Sequence, residues 1–235
     1  MLHSYSFSNF QSFRDKPTVD PHLSQNTATT DRPAATATGE RLSKLMAIIG
    51  PNGSGKTALL KPLPFLNWFI ASSFQSQPDA LIPLAPHFAM PDQPSEFEVV
   101  LDFDGKLWRY ELRCTQKRVL YEALYQRRER FNYVFVREWD EDSRTYKVKQ
   151  QDFGMPPREA RKVRENASLI STAAQYGVPL ASRMATDYVV SNVHFMGRRS
   201  LDDTALVSAA KYFSSRPEHA AKMATLLASW DLGLS

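Results

Sequence analysis

The residues best suited to chemistry in this 235-residue sequence are the eight from Gly50 to Thr57. They read Gly-Pro-Asn-Gly-Ser-Gly-Lys-Thr, which matches the Walker A pattern Gly-x-x-x-x-Gly-Lys-Ser/Thr in full. Glycines allow such a loop to wrap closely round phosphate oxygens, so that successive backbone N–H groups converge on the anion. The sequence therefore predicts a loop that binds the phosphates of a nucleotide, with ATP favoured over GTP.

The polar residues of this loop have distinct predicted tasks. Lys56 is expected to reach the β- and γ-phosphates as the catalytic cation, and the Thr57 hydroxyl is expected to join the shell of a Mg²⁺ ion. The start of the following helix adds unpaired N–H groups and the positive end of its dipole. ATP and Mg²⁺ are thus the expected cofactors, and the predicted nucleotide-binding residues of the loop are Gly50, Asn52, Gly53, Ser54, Gly55, Lys56 and Thr57.

A strand and a helix are predicted to hold this loop in place. Residues 45–49 are a short apolar run, suited to a strand buried on both faces. Residues 56–69 have a helical pattern, but Pro62 and Pro64 interrupt it, so we expect one to two turns and then a kink or break near Lys61. Since strand, loop and helix are all indicated, a chance match in a glycine-rich turn is the weaker interpretation.

Strands and a long loop are predicted upstream of this unit. Residues 4–10 alternate aromatic and polar side chains, which is strand periodicity. Residues 12–23 contain Pro17 and Pro21, so any strand there is confined to a sheet edge or is broken. Residues 22–42 are expected to form a polar loop, longer than most connections in compact domains.

Downstream, the sequence changes from strand patterns to helical patterns. Residues 96–149 are predicted to form an antiparallel meander, with a tight turn at Asp104-Gly105. We predict two domains, a nucleotide-binding lobe over 1–156 and a helical lobe over 157–235. Within the second domain the helical segments are 158–165, 181–191, 204–214 and 217–229.

A Walker A site also needs an acidic residue that holds Mg²⁺. The one candidate is Asp102, which ends the apolar run Val99-Val100-Leu101. We reject it, because a turn and a second alternating strand follow, which places Asp102 in a hairpin. No later segment has four apolar residues followed by Asp-Glu. The sequence therefore predicts a phosphate cradle without the acidic half of a catalytic site.

Composition sets broad limits on the class of protein. The net charge is +4, Cys114 is the only cysteine, and no signal peptide is indicated. The longest apolar stretch, around residues 63–71, is far short of the ~20 residues that cross a bilayer. We expect a soluble, cytoplasmic protein that makes no membrane contact.

The histidines and the basic clusters give little indication of a metal site or of a binding surface. His3, His22, His87, His194 and His219 are scattered without metal-ligand spacing, so ordinary surface or core roles are favoured. The clusters at 126–130 and 158–164 are suited to nucleic acid or to an acidic partner face. As the favoured alternative, both are solvated surfaces of mixed charge.

The opening strand and the phosphate loop together resemble a known family. Phe7-Ser8-Asn9-Phe10-Gln11-Ser12-Phe13 precedes the loop, as a strand of the type Asn-Phe-Arg-Ser-Phe does in the RecF- and SMC-like branch of the ABC ATPases. Within that branch the chain is similar to stand-alone ATPases of bacterial phage-defence loci of the retron, Septu and PARIS type. Less specific similarity covers Leu59-Leu60-Lys61, residues 97–112, Glu122-Ala123-Leu124, residues 166–171 and residues 231–234.

The resemblance implies an α/β P-loop NTPase fold of ABC head type, with a mixed sheet, an antiparallel β-lobe and a helical lobe. It implies that Asn9 contacts the nucleotide. It also suggests Gln175 for the glutamine that, at the end of a strand, touches Mg²⁺ and the attacking water. The alternative for Gln175, a polar residue on a helix, is favoured by the sequence around it.

The implied function is an ATPase subunit of a defence complex that forms homodimers or higher homo-oligomers with ATP and controls an effector, a nuclease or toxin. A DNA-repair or chromosome-maintenance ATPase and a non-hydrolysing nucleotide-binding module are the alternatives. Gln11 departs from the family, which has a basic residue there. The signature motif, Walker B and switch histidine of the family lie beyond residue 235, so the resemblance implies a head that lacks its C-terminal half, as the N-terminal part of a longer protein or a natural truncation.

Overall fold

A computed structural model describes residues 1–24, 26, 36, 38–187, 195 and 203–230 of the chain. The chain divides into two compact units, residues 1–197 and residues 198–235. The predicted boundary between 156 and 157 stays a prediction. Of the helices described, none combines the length and apolar character that a bilayer crossing requires.

The first unit is built on one seven-stranded sheet in which every neighbouring pair is antiparallel. The strand order is β2-β1-β3-β4-β5-β6-β7. The antiparallel meander predicted over 96–149 is confirmed as β3 to β7. The strands are β1 (Leu2–Ser8), β2 (Thr18–Val19), β3 (Ser95–Phe103), β4 (Lys106–Cys114), β5 (Val119–Arg127), β6 (Phe131–Asp140) and β7 (Thr145–Gln150).

Local signals account for two features of this sheet. Asp104 and Gly105 have φ of 53° and 67°, the two positive values that a tight two-residue hairpin turn needs. Asp102 pairs with Leu107 just before that turn, so its assignment to a hairpin is confirmed. The segment after β1 contributes only the two-residue β2 at the sheet edge, as its prolines predict.

The strand predicted over residues 45–49 is wrong. These residues lie outside the sheet, and the side chains of Leu45 and Ile49 are 83% and 90% exposed. A strand buried on both faces needs a hydrogen-bonded neighbour at each edge, and the strands of the described part of the chain pair only with one another. The sheet is therefore antiparallel and not mixed, although the α/β class is confirmed.

Helices of the first unit pack beside the sheet. Phe65 of α2 lies 5.0 Å, ring centre to ring centre, from Phe97 of β3, within one hydrophobic core. The described helices are α1 (Lys56–Leu60), α2 (Pro62–Ser72), α3 (Pro157–Ala160), α4 (Leu169–Gln175) and α5 (Pro179–Asp187), followed in the second unit by α6 (Asp203–Ser214) and α7 (Pro217–Ser229).

The predicted break near Lys61 is confirmed between α1 and α2. Pro62 is the first residue of α2 and Pro64 the third. Both lie in the first turn, where a backbone N–H would have no partner within the helix, so the missing donors cost little there. The prolines thus restart the helix after Lys61.

The later helices match the sequence pattern unevenly. The predictions at 204–214 and 217–229 are confirmed as α6 and α7, whereas α3 is shorter than the predicted 158–165. The helix predicted over 181–191 is described as far as Asp187. Residues 231–234 and His194 lie outside the described residues.

A buried ion pair connects the sheet to α4. Glu122 on β5 and Arg137 on β6 are both fully buried, with Arg137 Nη1 3.5 Å from Glu122 Oε2. The Ser168 hydroxyl, which caps α4, donates to Glu122 Oε1 at 2.6 Å, and the Leu169 N–H donates to Oε2 at 2.9 Å. Tyr110 donates to Oε1 at 2.9 Å, and its burial, together with the nearby carboxylate, raises its pKa and keeps it protonated.

Both terminal nitrogens of Arg137 are hydrogen-bonded on the other side, whereas its buried Nε has no partner among the described residues. Its Nη1 donates to the carbonyl of Ala167 at 2.7 Å, and Nη2 donates to those of Val163 and Arg164 at 2.9 and 2.7 Å. Its guanidinium carbon lies 3.7 Å from the centre of the Tyr146 ring. The loop before α4 is therefore held to two strands through charged groups whose hydrogen bonds are directed at specific atoms.

We predict that Glu122→Ala lowers the free energy of unfolding by about 3–5 kcal/mol, because it leaves a buried arginine without its counter-ion. Urea unfolding of the purified chain measures this. Glu111→Ala is the matched control, since Glu111 on the neighbouring strand pairs with Arg109 at 2.8 Å but is partly exposed. That control should lose about 1 kcal/mol or less. Equal losses in the two variants would contradict the account.

Candidate nucleotide-binding site

Glycines shape the loop between residue 49 and α1. Gly53 and Gly55 have φ of 82° and 85°, a left-handed conformation that residues with a side chain rarely adopt. A Cβ atom on Gly50 would lie 2.9 Å from the Ser54 hydroxyl oxygen, closer than real contacts allow. Substituting any of these glycines would change the path of the loop, and with it the direction of its N–H groups.

Lys56 is folded back across this loop. Its Nζ donates to the carbonyl oxygens of Gly50 and Pro51 at 2.8 and 2.6 Å. The ammonium group therefore lies at the start of the loop, held by two neutral acceptors that phosphate oxygens can replace, since a hydrogen bond between two charged groups is the stronger one. Asn52, Gly53, Ser54 and Thr57 are exposed.

The turn that follows β1 packs against the loop. Phe10 and Phe13 exchange backbone hydrogen bonds at 3.0 Å across the turn residues Gln11 and Ser12. A Cβ atom at Gly55 would be 3.5 Å from the Phe13 ring, which shows how closely the two segments approach. The two motifs that carry the family resemblance are thus neighbours in space.

Gln11 is paired with Lys61, a contact that the sequence did not predict. Lys61 Nζ donates to Gln11 Oε1 at 3.2 Å, from the junction of α1 and α2. Where the resemblance implies a basic side chain in the turn, this chain has an ammonium group beside the turn. No sequence signal points to this pairing, because the two residues are fifty positions apart.

Asn9 is fully buried, and both ends of its side-chain amide are hydrogen-bonded. Its Nδ2 donates to the carbonyls of Met90, Gln93 and Pro94 at 3.0, 2.8 and 3.3 Å, and its Oδ1 accepts from the His87 N–H at 2.9 Å. The residue thereby fixes the loop over 87–94 beneath the turn. Its contact with the nucleotide stays a prediction, and the amide as placed has no donor left for it.

Gln175 is the last residue of α4 and is exposed. The strand end suggested for it is wrong, and the alternative, a polar residue on a helix, is confirmed. The physical reason is Ser168, whose hydroxyl accepts from the N–H groups of Ile170 and Ser171 and starts a helix there. Within the described residues Gln175 has no hydrogen bond to the loop over 50–57, and its catalytic and Mg²⁺-binding roles stay predictions.

Together, the glycine-shaped loop, the lysine across it and the helix behind it define a P-loop nucleotide-binding domain of α/β class. Residues 45–173, more than half of the chain, match the family described as "AAA domain, putative AbiEii toxin, Type IV TA system". The chain belongs to this family of P-loop ATPase-like domains. Comparison with curated proteins gave no match.

We predict that Lys56→Ala weakens ATP binding tenfold or more, about 1.4 kcal/mol, because a charge-assisted contact with phosphate is lost. Isothermal titration calorimetry with Mg²⁺ present measures the affinity. Lys117→Ala, which removes an exposed lysine in the turn between β4 and β5, is the control and should bind as the unaltered protein does. Equal affinities for the Lys56 variant and the unaltered protein would contradict the assignment of the site.

Proposed function

We propose that this chain is the ATP-binding subunit of a bacterial anti-phage defence complex, in which ATP drives association of two copies and thereby controls a partner effector. The observation that carries the proposal is the P-loop with Lys56 across its carbonyls. The family description, which names a toxin of a type IV toxin–antitoxin system, supports the defence setting. The RecF- and SMC-like resemblance of the opening strand supports the clamp mechanism.

The chemistry of the loop explains why a second copy is needed. Lys56 would exchange its two carbonyl acceptors for the β- and γ-phosphates, and Thr57 would hold Mg²⁺, which supplies positive charge at the transferring phosphate. Asn52, Gly53 and Ser54 are exposed, so the loop covers one side of the triphosphate. Phosphoryl transfer requires further donors and the exclusion of bulk water. In the proposed complex those groups come from a second subunit.

One observation favours a non-hydrolysing nucleotide-binding module as the second candidate. Asp102, the only carboxylate that the sequence offered for Mg²⁺, contacts His3 at 2.9 Å. Its position in the β3–β4 hairpin assigns it to the group of side chains around His3 and not to the phosphate loop. Under this alternative, residues 1–235 bind ATP without turning it over.

For the clamp, we predict that the intact protein dimerises more strongly with ATP and Mg²⁺ than with ADP, by a coupling of about 1–3 kcal/mol. Light scattering under conditions that block hydrolysis measures the mass in each state. Lys56→Ala should abolish the difference, and Lys117→Ala should preserve it. The same mass with ATP and with ADP would remove the ATP-driven clamp and leave the nucleotide site itself intact.

For the defence role, we predict that cells carrying the native locus resist at least one phage that plates freely on cells carrying the Lys56→Ala locus. Plaque counts on the two strains measure the difference, and the Lys117→Ala locus should protect as the unaltered one does. Equal plating of a broad phage panel on all three strains would contradict a role in defence. Calorimetry on the same variants shows separately whether nucleotide binding is intact.

A further inference from the structure

Three side chains from distant parts of the sequence converge beside the first strand. His3 Nδ1 lies 3.0 Å from Glu40 Oε2, and His22 Nε2 lies 3.4 Å from the same oxygen. Each of the three residues offers one ligand atom, and these atoms lie within 4.8 Å of one another. His3 is buried, His22 is exposed and Glu40 is partly exposed, so the cluster is open to solvent on one side.

These distances match the spacing of metal ligands. Nitrogen and oxygen atoms bound to a tetrahedral Zn²⁺ at about 2.0–2.1 Å are about 3.3 Å from one another. The two nitrogen–oxygen distances to Glu40, 3.0 and 3.4 Å, lie on either side of that value. Three protein ligands leave the fourth position for water. Two imidazoles with one carboxylate favour Zn²⁺ over Mg²⁺ or Ca²⁺, which prefer oxygen ligands throughout.

Each histidine also has a carboxylate at its other ring nitrogen. His3 Nε2 lies 2.9 Å from Asp102 Oδ2, and His22 Nδ1 lies 2.5 Å from Asp20 Oδ1. Metal-binding histidines in proteins nearly always have such a partner, which holds the proton on the outer nitrogen and directs the inner lone pair at the ion. His22 follows that pattern with a hydrogen bond to Asp20, whereas His3 Nε2 lies close to the Asp102 carboxylate without the geometry of a hydrogen bond, and the inner nitrogens of both face Glu40.

The backbone holds the three residues in these positions. The pairing of β1 with β3 is irregular between Leu2 and Ser4, which leaves His3 as the extra residue of a bulge, a feature that redirects a side chain. His22 forms an antiparallel bridge with Leu42, two residues from Glu40. The Leu23 N–H donates to the Arg41 carbonyl at 2.9 Å.

The carboxylate of Glu40 is also positioned from both sides. The Thr38 hydroxyl donates to Oε2 at 2.9 Å. Arg127 Nη1 lies 3.7 Å from the other oxygen, Oε1, whereas both imidazole nitrogens lie near Oε2.

We propose that His3, His22 and Glu40 form a Zn²⁺ site. The ion would join β1 to both ends of the polar loop over 22–42, and the second of those ends leads into the P-loop ten residues later. It would stabilise the fold by fixing the segment of chain that leads into the P-loop. It has no part in phosphoryl transfer. The competing explanation is a metal-free cluster in which protonated histidines pair with the carboxylates.

The test is Zn²⁺ titration of the chelator-treated protein, followed by calorimetry and by elemental analysis after desalting. We expect one Zn²⁺ per chain and a higher melting temperature with Zn²⁺ than with chelator. His22→Gln and Glu40→Gln should each weaken binding at least tenfold and remove the thermal shift. His22 is exposed and Glu40 is partly exposed, which makes both safer to substitute than the buried His3.

The matched control is His219→Gln. This histidine pairs with the Tyr212 hydroxyl at 2.8 Å in the second unit, and its variant should retain one Zn²⁺ and the full thermal shift. Failure of the unaltered protein to retain Zn²⁺ would overturn the proposal in favour of the protonated cluster. Equal retention by the unaltered protein and both cluster variants would overturn it as well. ATP affinity measured on the same samples keeps this result separate from the assignment of the P-loop.

Discussion

The first unit depends on the charge pair between Glu122 and Arg137. Burying two ions is costly, and the cost is offset only where the hydrogen bonds around them are nearly complete. Here the carboxylate accepts from a tyrosine, from the serine that caps α4 and from a backbone N–H, while the guanidinium donates to three carbonyls. One pair of side chains thus fixes the position of a helix, the loop before it and two strands at once.

Asn9 makes a second connection of the same kind, nearer the nucleotide site. Its buried amide binds one end of the chain to the loop over 87–94, and the turn after it packs against the P-loop at Gly55. The phosphate loop is exposed and has few contacts of its own. Its shape therefore rests on glycine conformations within it and on buried polar groups behind it.

Features encoded by neighbouring residues were predictable from the sequence. The P-loop, the turn at Asp104-Gly105 and the break after Lys61 each depend on a few adjacent residues, and the structure contains the turn and the break as predicted. The strand prediction for residues 45–49 was wrong because apolar character shows only that a segment can be buried. It does not identify which strand will pair with that segment. The helix around Gln175 was the interpretation that the sequence favoured, although the contact between its cap at Ser168 and Glu122 on β5 could not be read from the sequence.

The histidine cluster and the buried ion pair show what the sequence could not provide. His3, His22 and Glu40 have no common motif spacing, and only the bulge in β1 and the bridge at His22 bring them together. Glu122 had one visible signal, a charged residue within the apolar run of β5, but its partner lies on another strand. Pairs of this kind are defined by sheet register, which is set by the whole chain.

The function proposed for this chain requires that Gly50 to Thr57 bind the phosphates of ATP. The most direct test follows the backbone amide resonances of the ¹⁵N-labelled protein during titration with Mg²⁺ and ATP. We expect the amides of Gly53, Gly55, Lys56 and Thr57 to shift together and saturate with one affinity, and adenosine without phosphates to leave them unchanged. Saturable binding of ATP with these four resonances unmoved would contradict that requirement.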